Sequence, residues 1–406
     1  MKHAKVLLAI CVGLVSLSAA RAADPILIGE ISSMSGALAV GGVPGRQGAM
    51  LAVEEINQRG GVLGRPLQLV MRDDKTQPEE AGKAFRELAA QGVLLAMGTT
   101  GSATTAAMSS LARELKLPFF TMMGYSRFLI EEAGHRYFFR LITNDRVFTY
   151  AVAEALVKQP QTKYCTIASD FAYGRDFTKV FVTRLKEVKP DVEVLSGCEF
   201  WVPLGTTDLT PNLTAILARR PQAVLFGGLV GATSTAFVKQ AKAFGLFANA
   251  LGVHPTLGMQ VNNSGLSGKE DVPEGIFTGT DFLYPPTAAS RAFLDAYRKR
   301  WNQLPTEQSA NAYTTARFIA KAIEKAAKVD REAFVNAAEG LSIDHPGLGE
   351  ITLRPFDHQS TAGWWLGYLA WDDTHKRVGV RDARYLKGEA YLPGKEELEK
   401  IRSHKK

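Results

Sequence analysis

"PILIGEISSMSGALAVGGVPGRQGAMLAVEEINQRGGVLGRPLQLVMRDD" (residues 25–74) decides the fold. It reads as strand, glycine-rich loop, helix, turn and strand. Residues 25–32 form the first strand. From Arg46 onward, Ala49, Ala52, Val53 and Ile56 recur at the i, i+3, i+4, i+7 spacing of one helical face. Gly60-Gly61 stops that helix, and "PLQLVMRDD" is the second strand. Strand and helix alternating in this way point to parallel sheets with helices packed on both faces.

The rhythm continues outward. "PEEAGKAFRELAAQG" is a helix with Pro78 at its start and Gly92 at its end, and "VLLAMG" and "LPFFTMMG" complete four strand–helix units by residue 124. It restarts at "KYCTIASD" (163–170), followed by the helix "GRDFTKVFVTRLKEV". "VEVLSGCEF", "AVLFGG" and "ALGVHP" are later strands, separated by helical "LTPNLTAILARR" and "STAFVKQAKAF". Then come three helical runs, beginning at "SRAFLDAYRKRW", "QSANAYTTARF" and "DREAFVNAAEGL", which must cover the sheets already built. "EITLRPFD" and "WWLGYLAWDD" are late strands, expected at the edge of the second sheet. A chain of 406 residues exceeds one comfortable core, so two lobes are expected. The fold class is α/β, with two doubly wound parallel-sheet lobes.

The first residues combine a basic "MKHAK", an apolar "VLLAICVGLVSLSA" and the small-x-small site Ala20-Arg21-Ala22. That is a signal peptide over residues 1–22, cleaved after Ala22, and it implies export. Cys11 is a poor lipobox cysteine because Ile10 precedes it. Removing the leader deletes three cations and no acid, so the formal charge falls from +7 to +4. That is no nucleic-acid signature. Cys165 and Cys198 remain; one disulfide and two buried thiols are both compatible with their apolar surroundings.

"LLAMGTTGSATTAAM" (94–108) places a Gly/Ser/Thr turn before a small-residue helix, whose N–H groups make an anion site. A phosphate loop would close on Gly-Lys-Ser/Thr, but no cation follows until Arg113. Ser102 is not in G-x-S-x-G, the histidines show no H-E-x-x-H, and the adjacent acids Asp73-Asp74 and Asp372-Asp373 point to opposite faces of a strand. No catalytic, metal or cofactor site is read. A carboxylate remains, taken by the Ser102 hydroxyl and the helix N–H groups without a cationic side chain. A helix-end interaction of this kind is worth roughly 0.3–1 kcal/mol. Ser102 is equally placed to be an ordinary helix cap.

Along nearly all of its length beyond the leader, the chain resembles the type I periplasmic binding proteins of branched-chain amino acid ABC importers. The Ser-Gly loop, "GAMLAVEEIN", "GGVLGRPL" and the strand ending in aspartate carry the likeness, followed in order by "FRLITND", "AYGRDF" and "PLGTTDL". The resemblance implies two lobes joined by a three-segment hinge and closing on a solute at the strand carboxyl ends, where doubly wound sheets bind ligands. Expected crossings lie near 140–146, 276–284 and 349–358. Lobe 1 comprises 23–143 with 280–352, lobe 2 comprises 144–279 with 353–393, and 394–406 is a polar tail.

The resemblance also implies a site. The turn Gly98–Ala103, with Gly101 and Ser102, grips a ligand carboxylate. Met122, Met123, Gly124 and Tyr125 add backbone contacts, and Tyr173, with Phe171 on the same surface, covers the ligand from lobe 2. Leu229 forms an apolar wall. His254 stands where amino-acid binders carry an acid for the ligand ammonium. An imidazole supplies no countercharge, so the residues point to a non-amino carboxylate, such as an aromatic or 2-oxo acid, over leucine. Asp170 and Asp281 are the alternative sources of charge. The implied function is capture of a small carboxylate solute, a leucine-like amino acid by the resemblance with aromatic or 2-oxo acids as the rival, by a periplasmic monomer that delivers it to ABC permease subunits. A ligand sensor of the same fold and an exported hydrolase are the alternatives.

Overall fold

The computed structural model describes residues 23–259 and 265–403. The leader read over 1–22, with Cys11, lies outside the described residues. The first lobe is built from β1 (Ile26–Ser32), α1 (Ala39–Gln58), β2 (Leu67–Asp73), α2 (Pro78–Ala90), β3 (Leu95–Gly98), α3 (Ser102–Leu115), β4 (Phe119–Thr121), α4 (Phe128–Glu131) and β5 (Phe138–Arg140). Its five strands are all parallel, in the order β2-β1-β3-β4-β5. β3, β4 and β5 are buried along their whole length, as strands covered on both faces must be.

Ala49, Ala52, Val53 and Ile56 are the buried stripe of α1, but the helix begins at Ala39, seven residues before Arg46. The glycine-rich stretch is therefore helix and not loop. Close backbone approach explains it: a Cβ on Gly42 would stand 1.9 Å from Ser33 O, and one on Gly48 2.1 Å from Ser309 O.

The chain then crosses to the second lobe: α5 (Asp145–Leu156), β6 (Lys163–Ser169), α6 (Ala172–Val188), β7 (Glu193–Val202), α7 (Thr210–Arg219), β8 (Ala223–Gly228), α8 (Gly231–Ala243), α9 (Leu246–Asn249), β9 (Leu251–His254) and β10 (Ile276–Thr280). It returns through α10 (Arg291–Trp301), α11 (Glu307–Ala326), α12 (Arg331–Ala338), β11 (Ser342–His345) and β12 (Gly349–Thr352). These late helices share one core with β1, β3 and α1. β12 does not join the second sheet, as expected of "EITLRPFD"; it pairs with β11. The apolar side chains of this ribbon, Ile343 and Ile351, are drawn into the first lobe's core.

A last crossing leads to β13 (Trp364–Asp372) and β14 (Arg377–Leu386), the second of which the sequence reading did not find. The seven-stranded sheet runs β14-β13-β10-β9-β8-β6-β7, with β13 antiparallel to both of its neighbours and the other strands all running one way. Cys165 of β6 and Cys198 of β7 are joined by a disulfide, which resolves the open alternative.

Residues 141–144, 281–290 and 353–363 are the segments that pass between the sheets. Arg140 ties two of them. It is fully buried, and it donates to Gln359 Oε1 (2.5 Å), Gly124 O (2.7 Å) and Ser126 O (2.8 Å). Of the segment expected to be a polar tail, the described residues 394–403 are not simply solvated. Within them α13 (Lys395–Ser403) buries Leu398, and Arg402 donates to Ile130 O (2.8 Å) and Glu131 O (3.2 Å).

Candidate functional site

Residues that follow β3, β4 and β6, together with the starts of α5 and α6, line a cavity of about 570 Å³. Ser102, Ser126 and Arg127 line it from the first lobe; Tyr173, Phe177 and Lys179 line it from the second. Two of the residues expected from the sequence, Ser102 and Tyr173, are thus brought face to face across one cleft.

Ser102 opens α3 but does not cap it. The cap is Gly101, in extended backbone (φ −133°, ψ 147°), and no side chain caps the helix. The first intrahelical bond runs from Thr105 N–H to Gly101 O (2.9 Å), so the N–H groups of residues 102–104 precede it. Among the described residues, the Ser102 hydroxyl accepts only a long bond from Ser126 N–H (3.4 Å). A helix N-terminus with an uncommitted hydroxyl is a carboxylate receptor.

The opposite wall is aromatic. Tyr173 lies in the first turn of α6 and its ring stacks on Phe177 (5.8 Å), which continues to Phe181 (6.1 Å); Phe171 adjoins Tyr173 at 5.9 Å. The sequence reading begins this helix at Gly174; in the structure it begins at Ala172, which puts Tyr173 in its first turn. Glycine is required at 174, because a Cβ there would stand 2.1 Å from Ser169 O. Phe177 was read as part of that helix and not as a site residue. The i, i+4, i+8 spacing of Tyr173, Phe177 and Phe181 was the available signal.

The other expected residues are less free to bind. Met123 is buried beside Gly41 of α1. Gly124 has both backbone groups engaged, its N–H on Thr121 Oγ1 (2.9 Å) and its carbonyl on Arg140. Tyr125 packs edge-on against Phe148 (6.4 Å), and its carbonyl accepts Asp145 N–H (2.9 Å). Burial, with the charges of Asp281 and Glu307, holds the Tyr125 phenol well above its ordinary value.

Leu229 and His254 are not among the residues that line the cavity. Both are almost fully buried, and the His254 ring sits edge-on to Phe226 at 5.0 Å. Asp170 forms an ion pair with Arg175 (2.6 Å) on the surface. Sequence reasoning missed three acids that line the cleft, Glu132, Asp145 and Asp176; of these Asp145 accepts Arg127 N–H (2.8 Å). Burial raises its pKa, with Arg127 opposing.

The model of the family described as periplasmic binding protein matches residues 25–374. The chain belongs to the periplasmic binding protein family. It is 25% identical over 327 residues to a leucine-, isoleucine-, valine-, threonine- and alanine-binding protein of Pseudomonas aeruginosa, covering 80% of this chain and 85% of that one. The structure of a similarly named protein from Brucella ovis, in a closed conformation, superposes with a TM-score of 0.79 at 20% identity (91% and 97% of the two chains). An ABC-transporter solute-binding protein of Rhodopseudomonas palustris HaA2, solved with p-hydroxybenzoic acid, gives 0.77 at 23% identity (91% and 98%). Among the described residues, no helix is long and apolar enough to cross a membrane.

The buried histidines make this periplasmic binding protein acid-sensitive. Burial lowers His254 to about 4 and His345 to about 3, so both are neutral when folded. Unfolded, they titrate near 6.5. Between about pH 6.5 and 4 these two histidines bind more protons in the unfolded chain, so their contribution to stability falls as the pH drops through that window. Asp281 acts oppositely: burial, then the Glu307 charge, raises it to about 7, so its contribution is lost as the pH rises through 7. His254→Gln is expected to flatten the acid-side loss, read as the urea midpoint against pH; an unchanged slope would contradict the assignment.

Proposed function

We propose that this chain is the exported solute-capturing component of an ABC importer. It closes its two lobes on a small carboxylate, delivers it to permease subunits in the membrane as a monomer, and catalyses no reaction. The observation that carries this reading is the pairing of the uncapped α3 N-terminus and Ser102 with the stacked Tyr173–Phe177 rings across one cavity. The first suits a carboxylate, the second a flat or branched apolar body. Cleavage after Ala22 is part of the proposal; a mature N-terminus at Ala23 is the expected result of N-terminal sequencing.

The preferred solute is an aromatic or 2-oxo acid in place of leucine. His254, at the position where the resemblance puts the ammonium's acid, is neutral and turned into the core, so that position supplies no countercharge; an α-ammonium has to find its partner among the cleft acids, and going without one costs several kcal/mol. The fold accommodates both chemistries, since its neighbours include a protein named for binding leucine and one holding p-hydroxybenzoic acid. Calorimetric titration of ligand-stripped protein with leucine, 4-methyl-2-oxopentanoate and 4-hydroxybenzoate separates them. Micromolar leucine binding with both acids silent would restore the amino-acid reading, with Asp145 as the ammonium partner.

Ser102→Ala is expected to weaken binding of the carboxylate by roughly 1–3 kcal/mol, the cost of leaving a buried charge short of one donor. Tyr173→Ala removes ring contact and weakens it further, with little change in melting temperature. Normal affinity in Ser102→Ala would place the carboxylate elsewhere in the cleft.

A further inference from the structure

Three loops meet beneath the first turn of α3: those that follow β1, β2 and β3. Their meeting point is one carboxylate. Asp74 is fully buried, and among the described residues no ion pair engages it. Its Oδ1 accepts Ser33 Oγ–H at 2.6 Å and Thr76 N–H at 2.8 Å, and its Oδ2 accepts the Thr99 hydroxyl. Ser33 Oγ in turn accepts the Thr100 hydroxyl.

An ionised carboxylate only accepts, so it sets the direction of every bond in this chain. The Ser33 proton points at Asp74, which leaves a Ser33 lone pair for Thr100. Thr99 spends its proton on the same acid. Thr99 and Thr100 are thereby tied by their side chains to the two neighbouring loops. Just beyond them, the Gly101 carbonyl is gripped by the hydroxyls of Thr104 (2.8 Å) and Thr105 (2.7 Å). Burying an unpaired charge is costly unless its hydrogen bonds are complete. Here that cost falls on the turn that presents Ser102.

We infer that Asp74 is the positioning residue of the solute site: its carboxylate holds Thr99–Gly101 in place and so aims the α3 N–H groups and the Ser102 hydroxyl into the cleft. It touches no solute. The inference rests on the cleft being the solute site, and its test has one arm that needs no solute.

That arm is amide hydrogen exchange of the ligand-free chain, followed over residues 95–108. Asp74→Asn keeps the shape but makes one oxygen a donor that faces Thr99 or Ser33. Exchange over the first turn of α3 is expected to quicken about tenfold, the effect of weakening one charge-assisted bond. β1, β2 and the second lobe should keep their protection. The neighbouring Asp73→Asn, whose carboxylate serves Met34 N–H (2.9 Å) and the exposed Ser35 hydroxyl (2.8 Å), is the control and is expected to leave 95–108 unchanged. Unchanged exchange in Asp74→Asn, or a uniform loss across the first lobe, overturns the inference. Should Asp74→Asn fail to fold, Thr100→Val cuts the same chain at its far end and is read by the same measurement.

The second arm titrates 4-hydroxybenzoate and leucine into both variants. Where the wild type binds one of them, Asp74→Asn is expected to lose about tenfold in affinity while Asp73→Asn keeps it. If neither probe binds the wild type, the solute reading suffers and the exchange arm still decides the role of Asp74.

Discussion

Gly98→Ala is expected to cost about 4 kcal/mol or more of folding stability, a loss few single substitutions reach. Gly98 ends β3 with φ +146°, a conformation that side-chain-bearing residues rarely adopt. An added Cβ would also stand 1.8 Å from Ile31 O and 2.7 Å from Ile31 C. These are backbone atoms of the adjacent strand, in register with Gly98, and no side-chain rotation relieves them. β1 and β3 must part at the end that carries Thr99–Ser102, so solute binding should fail along with stability. Urea unfolding should show a lower midpoint at an unchanged slope. A loss below about 1 kcal/mol would mean that the turn can shift as a body, and the close approach would then not be required.

Arg140→Met is the second large effect. The guanidinium is fully buried and is the donor for one side-chain amide and two backbone carbonyls that belong to the crossing segments and the cleft loop. Methionine fills the space but leaves Gly124 O without this donor, Ser126 O with only Leu129 N–H (3.2 Å) and Gln359 Oε1 with only a long bond from Asn144 Nδ2 (3.4 Å), at about 3–5 kcal/mol for three lost charge-assisted hydrogen bonds. Arg140→Lys keeps the charge but has no planar fork, and should fall between methionine and wild type. Because Gly124 and Ser126 lie in the loop that borders the cleft, the methionine variant should also bind the carboxylate probes more weakly than its stability loss alone explains. A variant that unfolds earlier but binds normally would confine Arg140 to a structural role.

Most of the architecture was legible because strand and helix alternate with clean stops. Gly60, Gly92 and Pro78 stand where the elements end or begin. Glycine was also what misled. In α1 and α6 it is placed for helix-to-backbone contact, and one chain cannot show a contact with Ser309, which arrives much later. The orientation of strand-end residues was equally hidden. Val253 and His254 are neighbours on β9 and so point to opposite faces. Val253 packs into the core under α5 and α6, whereas His254 meets Phe226 on the other face. A residue aligned with a ligand contact can therefore sit at the right level and face the wrong way. The disulfide became readable only once β6 and β7 proved to be neighbours.

The interleaved path of the chain has a consequence for how the molecule is made. The stripe of α1 formed by Ala49, Ala52, Val53 and Ile56 is buried in a core that α11 completes, and nearly all of the second lobe lies between these helices in sequence. At a synthesis rate of about 5–20 residues per second, that stripe waits roughly ten to fifty seconds for its partner. The second sheet waits too, since β13 and β14 close its edge only after α12 has been made. Neither half can finish its core while the ribosome is still working. Long-range pairing of this kind slows folding, because the loop-closure entropy must be met before the distant contacts form.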